Sequence, residues 1–136
     1  MRPDVKFQKC PIKASMGVFG RKWTMLMLRD IGFRKIVRFN HLLESIPGLT
    51  PRVLSMRLKE LEKDGIIKKT EDSTDGIVRW ALTEKGEDSL PILMRLIAFG
   101  SKWYARDVFE DKVPRSLNEI FTRPEAQEIV QKLYES

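Results

Sequence analysis

The 136-residue chain has one cysteine, Cys10, and one histidine, His41. A single thiol excludes an intramolecular disulfide framework and is typical of a reducing compartment. One histidine with no cysteine or aspartate at ligand spacing argues against a metal site. No apolar run approaches the length of a membrane span, and the first ten residues lack the continuous apolar core of a signal peptide. We therefore expect a cytoplasmic protein that holds no metal.

Motifs for chemistry are also missing. Gly17 and Gly20 lack the lysine and the preceding strand of a phosphate-binding loop. Serine, histidine and aspartate never gather in a catalytic motif, so we expect neither an enzyme nor a cofactor. The composition favours positive charge instead, with a formal net charge of +6. This balance favours an anionic partner, and nucleic acid is the plainest candidate; an inert basic surface is the alternative.

The stretch from Arg38 to Gly65 predicts a helix-turn-helix. Its first part places apolar residues at the spacing of one helix face, at Phe39, Leu42, Leu43 and Ile46. Pro47-Gly48 interrupts this helix, and Thr50 caps a second one that Pro51 opens. The second helix buries Val53, Leu54, Leu58 and Leu61. Its exposed residues then form the surface of a recognition helix.

Two β runs follow this pair of helices. Ile66–Asp72 and Ile77–Thr83 flank the turn sequence Ser73–Gly76, which predicts a hairpin. A hairpin directly after a recognition helix is a wing, and Lys35–Arg38 is a candidate third strand. The predicted fold is therefore mainly α with a small β wing, a winged helix-turn-helix.

Helices are expected on both sides of this centre. Pro11 opens the first helix, and Trp23–Ile31 is apolar almost all round, which predicts a buried helix. After the wing, Thr83 caps a long helix whose start is kinked or reset by Pro91. This helix carries two neighbouring apolar stripes, namely Leu93, Ile97, Gly100 and Tyr104, and Ile92, Leu96, Phe99 and Trp103. A second copy of the chain or its own C-terminal segment must cover one of them.

We expect three regions along the chain: a flexible arm at residues 1–9, a winged-helix domain with a dimerisation helix at 10–109, and a helical extension at 110–136. Within the extension, Ser116–Phe121 predicts a short helix, and Thr122 and Glu125 have the spacing of a capping box. The three tryptophans, Trp23, Trp80 and Trp103, are expected in the core.

The chain resembles the HxlR-type family of winged-helix transcriptional regulators over about residues 10–100. The matching stretches are Cys10-Pro11-Ile12, Gly20-Arg21-Lys22-Trp23-Thr24, RFNHLLESIPGLTPRVLSMRLKELEKDGII and ALTEKGEDSLPIL. The resemblance implies a homodimer, formed by N-terminal and C-terminal helices, that binds palindromic operator DNA, often as a repressor. It also implies a sensor of oxidants or electrophiles in members that use the cysteine matching Cys10.

The sequence departs from the family pattern at several points. Met56 stands where a charged or polar residue is usual, and His41 replaces a glutamate. The wing carries Asp72 and Asp75, whose charges repel phosphate. The segment after Val108 is longer than the family pattern.

Arg52 is the first candidate for DNA contact, because first-turn side chains of a recognition helix reach base edges. Its alternative is an exposed arginine paired with Glu44 or another carboxylate. Lys68 and Lys69 alternate along a strand, so at most one of them faces DNA with Arg79. Met56 either meets a thymine methyl or fills a gap beside Leu43. The complete candidate set for DNA binding is Asn40, Thr50, Pro51, Arg52, Ser55, Met56, Lys59, Lys68 and Arg79.

Cys10 is a candidate redox or effector site. It precedes the first helix, where backbone N–H groups, the helix dipole and the neighbouring Lys9 and Lys13 stabilise a thiolate. The alternative is an inert cysteine packed under the helix start.

The helix-turn-helix, the wing, the positive charge and the family resemblance together predict a sequence-specific DNA-binding regulator that works as a homodimer. A winged helix that binds proteins and not DNA is the alternative.

Overall fold

The computed structural model describes residues 4–70 and 74–135. The chain forms two compact units, one up to Thr83 and one from Glu84 onward. The first unit contains, in order, α1 (Pro11–Phe19), α2 (Thr24–Gly32), α3 (Phe39–Ser45), α4 (Pro51–Lys63), β1 (Ile67–Lys69) and β2 (Trp80–Leu82). The second contains α5 (Glu84–Glu87), α6 (Ser89–Trp103), α7 (Ala105–Val108), α8 (Leu117–Ile120) and α9 (Pro124–Glu135). The predicted boundaries at residues 9/10 and 109/110 stay predictions.

Helix α2 is the centre of the first unit. Met27, Leu28 and Ile31 are buried on it, as expected for a helix that is apolar almost all round. The helix begins at Thr24 and not at Trp23, because Trp23 has a left-handed backbone with φ 78°. Asp30 is also fully buried and pairs with an arginine on either side, Arg29 at 2.9 Å and Arg34 at 3.3 Å.

Helices α3 and α4 confirm the predicted helix-turn-helix. Thr50 Oγ1 accepts a hydrogen bond from the Val53 N–H at 3.3 Å, and Pro51 occupies the first helical position. This is the cap and start that the sequence indicates. Gly65 follows α4 with φ 76°, a left-handed conformation that glycine adopts without strain. The buried side of α4 consists of Leu54, Leu58 and Leu61.

The predicted hairpin is present, with shorter strands than the two β runs. Strands β1 and β2 pair antiparallel, with Ile67 opposite Leu82 and Lys69 opposite Trp80. The Ile77 N–H donates to Asp75 Oδ1 at 3.0 Å, and this local bond takes the start of the second run out of the ladder. Residues 71–73, which include Asp72 and Ser73 of the expected turn, lie outside the described residues.

The expected third strand is reduced to a bridge. Arg38 pairs with Arg79 as an isolated antiparallel bridge, and the Trp80 N–H donates to the Val37 carbonyl at 2.9 Å. The prediction of a strand at Lys35–Arg38 was therefore too long. Lys35 has φ 56°, which is incompatible with extended backbone at the start of that stretch.

In the second unit, the long helix is interrupted as the proline predicts. Helix α5 ends at Glu87 and α6 starts at Ser89. In a continuous helix the ring of Pro91 would clash with the carbonyl four residues earlier, which belongs to Glu87, and proline has no N–H to donate to it. The break therefore falls where a continuous helix would need that hydrogen bond.

The C-terminal extension folds against α6. Helices α8 and α9 contact α6, and Leu117, Val130 and Leu133 are buried within this unit. Arg95 Nη2 donates to the Leu133 carbonyl at 3.2 Å. Helix α8 carries a capping box between Ser116 and Glu119. The chain's own C-terminal segment thus covers one side of α6, which is the alternative that the apolar stripes left open.

The other side of α6 stays exposed in the single chain. Ile92, Leu96, Phe99 and Trp103 are 42%, 48%, 58% and 65% exposed. The expectation that Trp103 is a core residue was wrong for the isolated chain, whereas Trp80 is buried and Trp23 is half-buried. Across the described ranges 4–70 and 74–135, no helix is both long and apolar enough to cross a membrane.

Candidate nucleic-acid interface

The outer face of α4 presents a stripe of exposed side chains. Arg52, Met56, Lys59 and Lys63 are exposed at spacings of four, three and four residues, which places them on one side of the helix. Ser55 is half-buried beside them. This stripe lies away from the leucines that hold α4 to the core, so its charges face solvent. A recognition helix needs such a face to enter a groove of duplex DNA.

Arg52 is exposed in the first turn of α4. The expected alternative, a pair with Glu44, is not present: within the described part of the chain, the Arg52 side chain makes no ion pair or hydrogen bond. Its guanidinium is therefore available to a guanine edge or a phosphate, both of which match its paired donors.

The start of α4 is also exposed, with Thr50 and Pro51 on the surface beside Arg52. Backbone N–H groups and the positive end of the helix dipole favour an anion at such a terminus. The Thr50 hydroxyl already caps the Val53 N–H, so its structural role is complete without DNA. On α3, Asn40 and His41 are both exposed.

The wing contributes fewer available cations than the sequence indicates. Arg79 forms two hydrogen bonds to Asp75, at 2.8 Å and 3.2 Å. Hydrogen bonding from Arg79 and from the Ile77 N–H lowers the pKa of Asp75 from 3.8 to about 2. Lys69 lies over the ring of Trp80 at 5.5 Å. Lys68 is exposed and, among the residues that the structure describes, has no ion-pair partner.

Cys10 occupies the N-cap position of α1, directly before Pro11, and is exposed. The expectation that Cys10 could be packed under the helix start was therefore wrong for the single chain, and its reactivity stays a prediction. Its carbonyl accepts the Ala14 N–H at 3.0 Å, so the residue is held at the helix terminus. The apolar residues Ile12 and Met16 of α1 are also exposed.

A set of charged residues on the flank of α4 was not predicted from the sequence. Arg57 and Glu60 pair at 3.1 Å, and Arg21 reaches the same helix from the turn between α1 and α2. The spacing of Arg57 and Glu60 on the helix was a signal for the first pair. The arrival of Arg21 is a long-range contact with no local signature. Within residues 4–70 and 74–135 no cluster of histidine, cysteine and carboxylate side chains is suited to a metal ion.

The helix-turn-helix, the wing and their order match a known family model, described as HxlR-like helix-turn-helix, over residues 18–108. The chain belongs to this HxlR-like family. Among curated relatives, the HTH-type transcriptional regulator YybR of Bacillus subtilis is 34% identical over 103 residues, which are 74% of this chain and 79% of YybR. The names of relatives such as YybR, YdzF and YdeP of B. subtilis are those of HTH-type transcriptional regulators, and a transcriptional regulator is not a class of enzyme.

Solved structures agree with this assignment. The redox regulator HypR in its reduced form is 30% identical and has a TM-score of 0.60, covering 75% of this chain and 99% of HypR. The reduced form of the transcriptional regulator YodB from B. subtilis is 26% identical and has a TM-score of 0.59, covering 71% of this chain and 95% of YodB. YodB has also been solved after diamide treatment and bound to a quinone.

Proposed function

We propose that the protein is a sequence-specific transcriptional regulator of the cytoplasm that binds a palindromic operator as a homodimer and represses the adjacent gene. The observation that carries this proposal is Arg52, which is exposed in the first turn of α4 and has no ion-pair or hydrogen-bond partner among the residues that the structure describes. A module that binds proteins has no need for a free guanidinium at the position from which base edges are reached.

The dimensions of α4 suit a major groove. Its 13 residues make a rod about 20 Å long at ~1.5 Å per residue. The major groove of B-DNA is about 12 Å wide and admits one helix. With α4 in the groove, Arg52 is placed at base edges, while Lys59 and Lys63 on the same face are placed near phosphates. Lys68 of the wing supplies a further cation.

The exposed stripe of α6 supports a homodimer. Ile92, Leu96, Phe99 and Trp103 follow one another at spacings of four, three and four residues, the pattern of a helix pair that packs knobs into holes. Self-association of identical chains is usually twofold. A twofold dimer presents two recognition helices to half-sites about 34 Å apart, and its operator is then a palindrome.

Selection of bound fragments from random duplex DNA tests this proposal directly. We expect a palindromic sequence to be enriched, and its affinity to fall steeply with salt concentration because phosphate contacts release counterions. Recovery of no preferred sequence would refute it and favour the module that binds proteins. A reporter gene placed behind the recovered sequence then tests repression, which requires lower transcription in the presence of the protein.

An oxidation-sensitive activity is a second proposal, and the exposed thiol of Cys10 favours it. The residue lies at a helix terminus between Lys9 and Lys13, and both are exposed. This chain resembles the redox regulator HypR and the diamide-treated YodB. These resemblances support the proposal of an oxidation-sensitive activity. Loss or gain of operator affinity on oxidation, absent in Cys10→Ser, is the expected result.

A further inference from the structure

The turn between α1 and α2, residues 20–23, forms ion pairs with the C-terminal end of α4. We refer to this turn as the corner. Arg21 Nη1 donates to Asp64 Oδ2 at 2.9 Å. Arg21 Nε lies 3.6 Å from Glu60 Oε2. One arginine of the corner therefore engages two carboxylates that are one helical turn apart at the C-terminal end of the recognition helix.

A second arginine makes the reverse connection from α4 to the corner. Arg57 Nε donates to the main-chain carbonyl of Lys22 at 2.9 Å. Its Nη1 also lies 3.1 Å from both carboxylate oxygens of Glu60. Glu60 thus contacts both Arg57 and Arg21. The corner contacts α4 through the side chain of Arg21 and through the main-chain carbonyl of Lys22.

The corner also meets the turn that precedes α4. Trp23 has φ 78°, and its indole lies beneath Gly48, which has φ 88°. A Cβ atom on Gly48 would lie 3.2 Å from Cη2 of this indole. The two turns therefore approach each other closely at Gly48. Glycine suits this position because it adopts a left-handed backbone without strain and has no Cβ atom to meet the indole.

The contacts between the corner and α4 act on the rotation of α4 about its axis, whereas the buried leucines hold the helix on the core. Burial of Leu54, Leu58 and Leu61 decides which side of α4 faces the core. Because apolar burial is non-directional, it defines the exact rotation of α4 about its own axis less sharply. Charge-assisted hydrogen bonds depend on angle and distance. Arg57, Glu60 and Asp64 lie on the flank between the buried side and the outer face. Pairs that are partly exposed add little to stability, so their main effect is on geometry.

We propose that Arg21 and Arg57 are positioning residues for sequence recognition, which fix the rotation of α4 through the corner so that Arg52 meets base edges. This inference rests on the proposed DNA binding. A base contact requires placement within about 0.5 Å, whereas a lysine reaches a phosphate from many positions. Loss of the corner contacts therefore lowers affinity for the operator more than affinity for unrelated duplex.

Two substitutions that change the net charge in opposite directions distinguish a positioning role from a general electrostatic effect on DNA binding. Arg21→Met removes a positive charge and Asp64→Asn removes a negative one, so a purely electrostatic effect would change the affinity for unrelated duplex in opposite directions. We expect both variants to lower the ratio of operator affinity to unrelated-duplex affinity by about tenfold, the loss of roughly one base contact. Arg106→Met, which removes an exposed arginine of α7, is the matched control and should leave the ratio unchanged.

The double variant Arg21→Met/Asp64→Asn is expected to lose no more than Arg21→Met alone, because Arg21→Met already removes the contact with Asp64. Arg21→Lys keeps the charge and should retain more of the ratio than Arg21→Met. If Arg21→Met does not fold, Asp64→Asn decides alone. An unchanged ratio, or ratios that move in opposite directions, would overturn the positioning role. A wild-type protein with no preferred duplex would overturn the proposed function and this inference together.

Discussion

Trp103 gives the sharpest test of the proposed dimer. The side chain is 65% exposed at the end of the α6 stripe. Tryptophan buries roughly 150–250 Å² when it is enclosed, so a partner would remove about 100–160 Å² of it from water. At ~25 cal/mol per Å², this contributes about 2.5–4 kcal/mol per copy. Twofold symmetry counts the residue twice, so Trp103→Ala should cost the dimer ~5 kcal/mol or more.

Such a loss raises the dissociation constant of the dimer more than ~1000-fold. Sedimentation equilibrium from nanomolar to high micromolar concentration measures it. Tyr134→Ala is the matched control, because Tyr134 is also an exposed aromatic of the second unit, at 62%, but lies on α9 and contacts Arg95. Dimerisation of Trp103→Ala as strong as that of the wild type, or a wild type that is monomeric at micromolar concentration, would refute the reasoning.

Three further predictions concern the first unit. Arg52→Ala should cost ~1–3 kcal/mol of operator binding and relax the sequence preference at one base. Lys59→Ala should lower the affinity for all duplexes alike and flatten its salt dependence. Fluorescence anisotropy measures both effects. Diamide should change operator affinity in the wild type and leave Cys10→Ser unaffected; an unaffected wild type would exclude a sensor. The pKa of Asp75 is lowered from 3.8 to about 2, so its contribution to hairpin stability is present above pH 3.8 and disappears as the pH falls towards 2. Arg79→Gln should return that pKa towards 3.8 in an NMR titration.

Local signals made the helix-turn-helix predictable. The cap at Thr50, the proline after it and the left-handed Gly65 each act within a few residues, so the bounds of α4 follow from the sequence. The interruption at Glu87 follows in the same way from Pro91. The face on which Arg52 lies could also be predicted, because helical periodicity alone places it away from the leucines.

Individual side-chain contacts were not predictable from the same signals. Asp75 accepts the Ile77 N–H at the start of the second β run, a local bond that the alternation of the run does not indicate. Asp75 was expected to repel phosphate, and in the structure it also engages Arg79. The corner depends on Arg21 reaching a helix 39 to 43 residues further along the chain. No local pattern distinguishes such an arginine from one that is solvated.

The position of the C-terminal extension has a practical consequence for dissecting the protein. Residues after Val108 lie beyond the family match, so a chain shortened to end there contains the whole matched domain. Such a chain would lose the buried Leu117, Val130 and Leu133, and α6 would then expose apolar side chains on two sides. Exposed apolar surface of this extent promotes indiscriminate aggregation. We therefore expect a chain shortened at Val108 to aggregate, and the extension to be needed for the selective association that we propose for the α6 stripe.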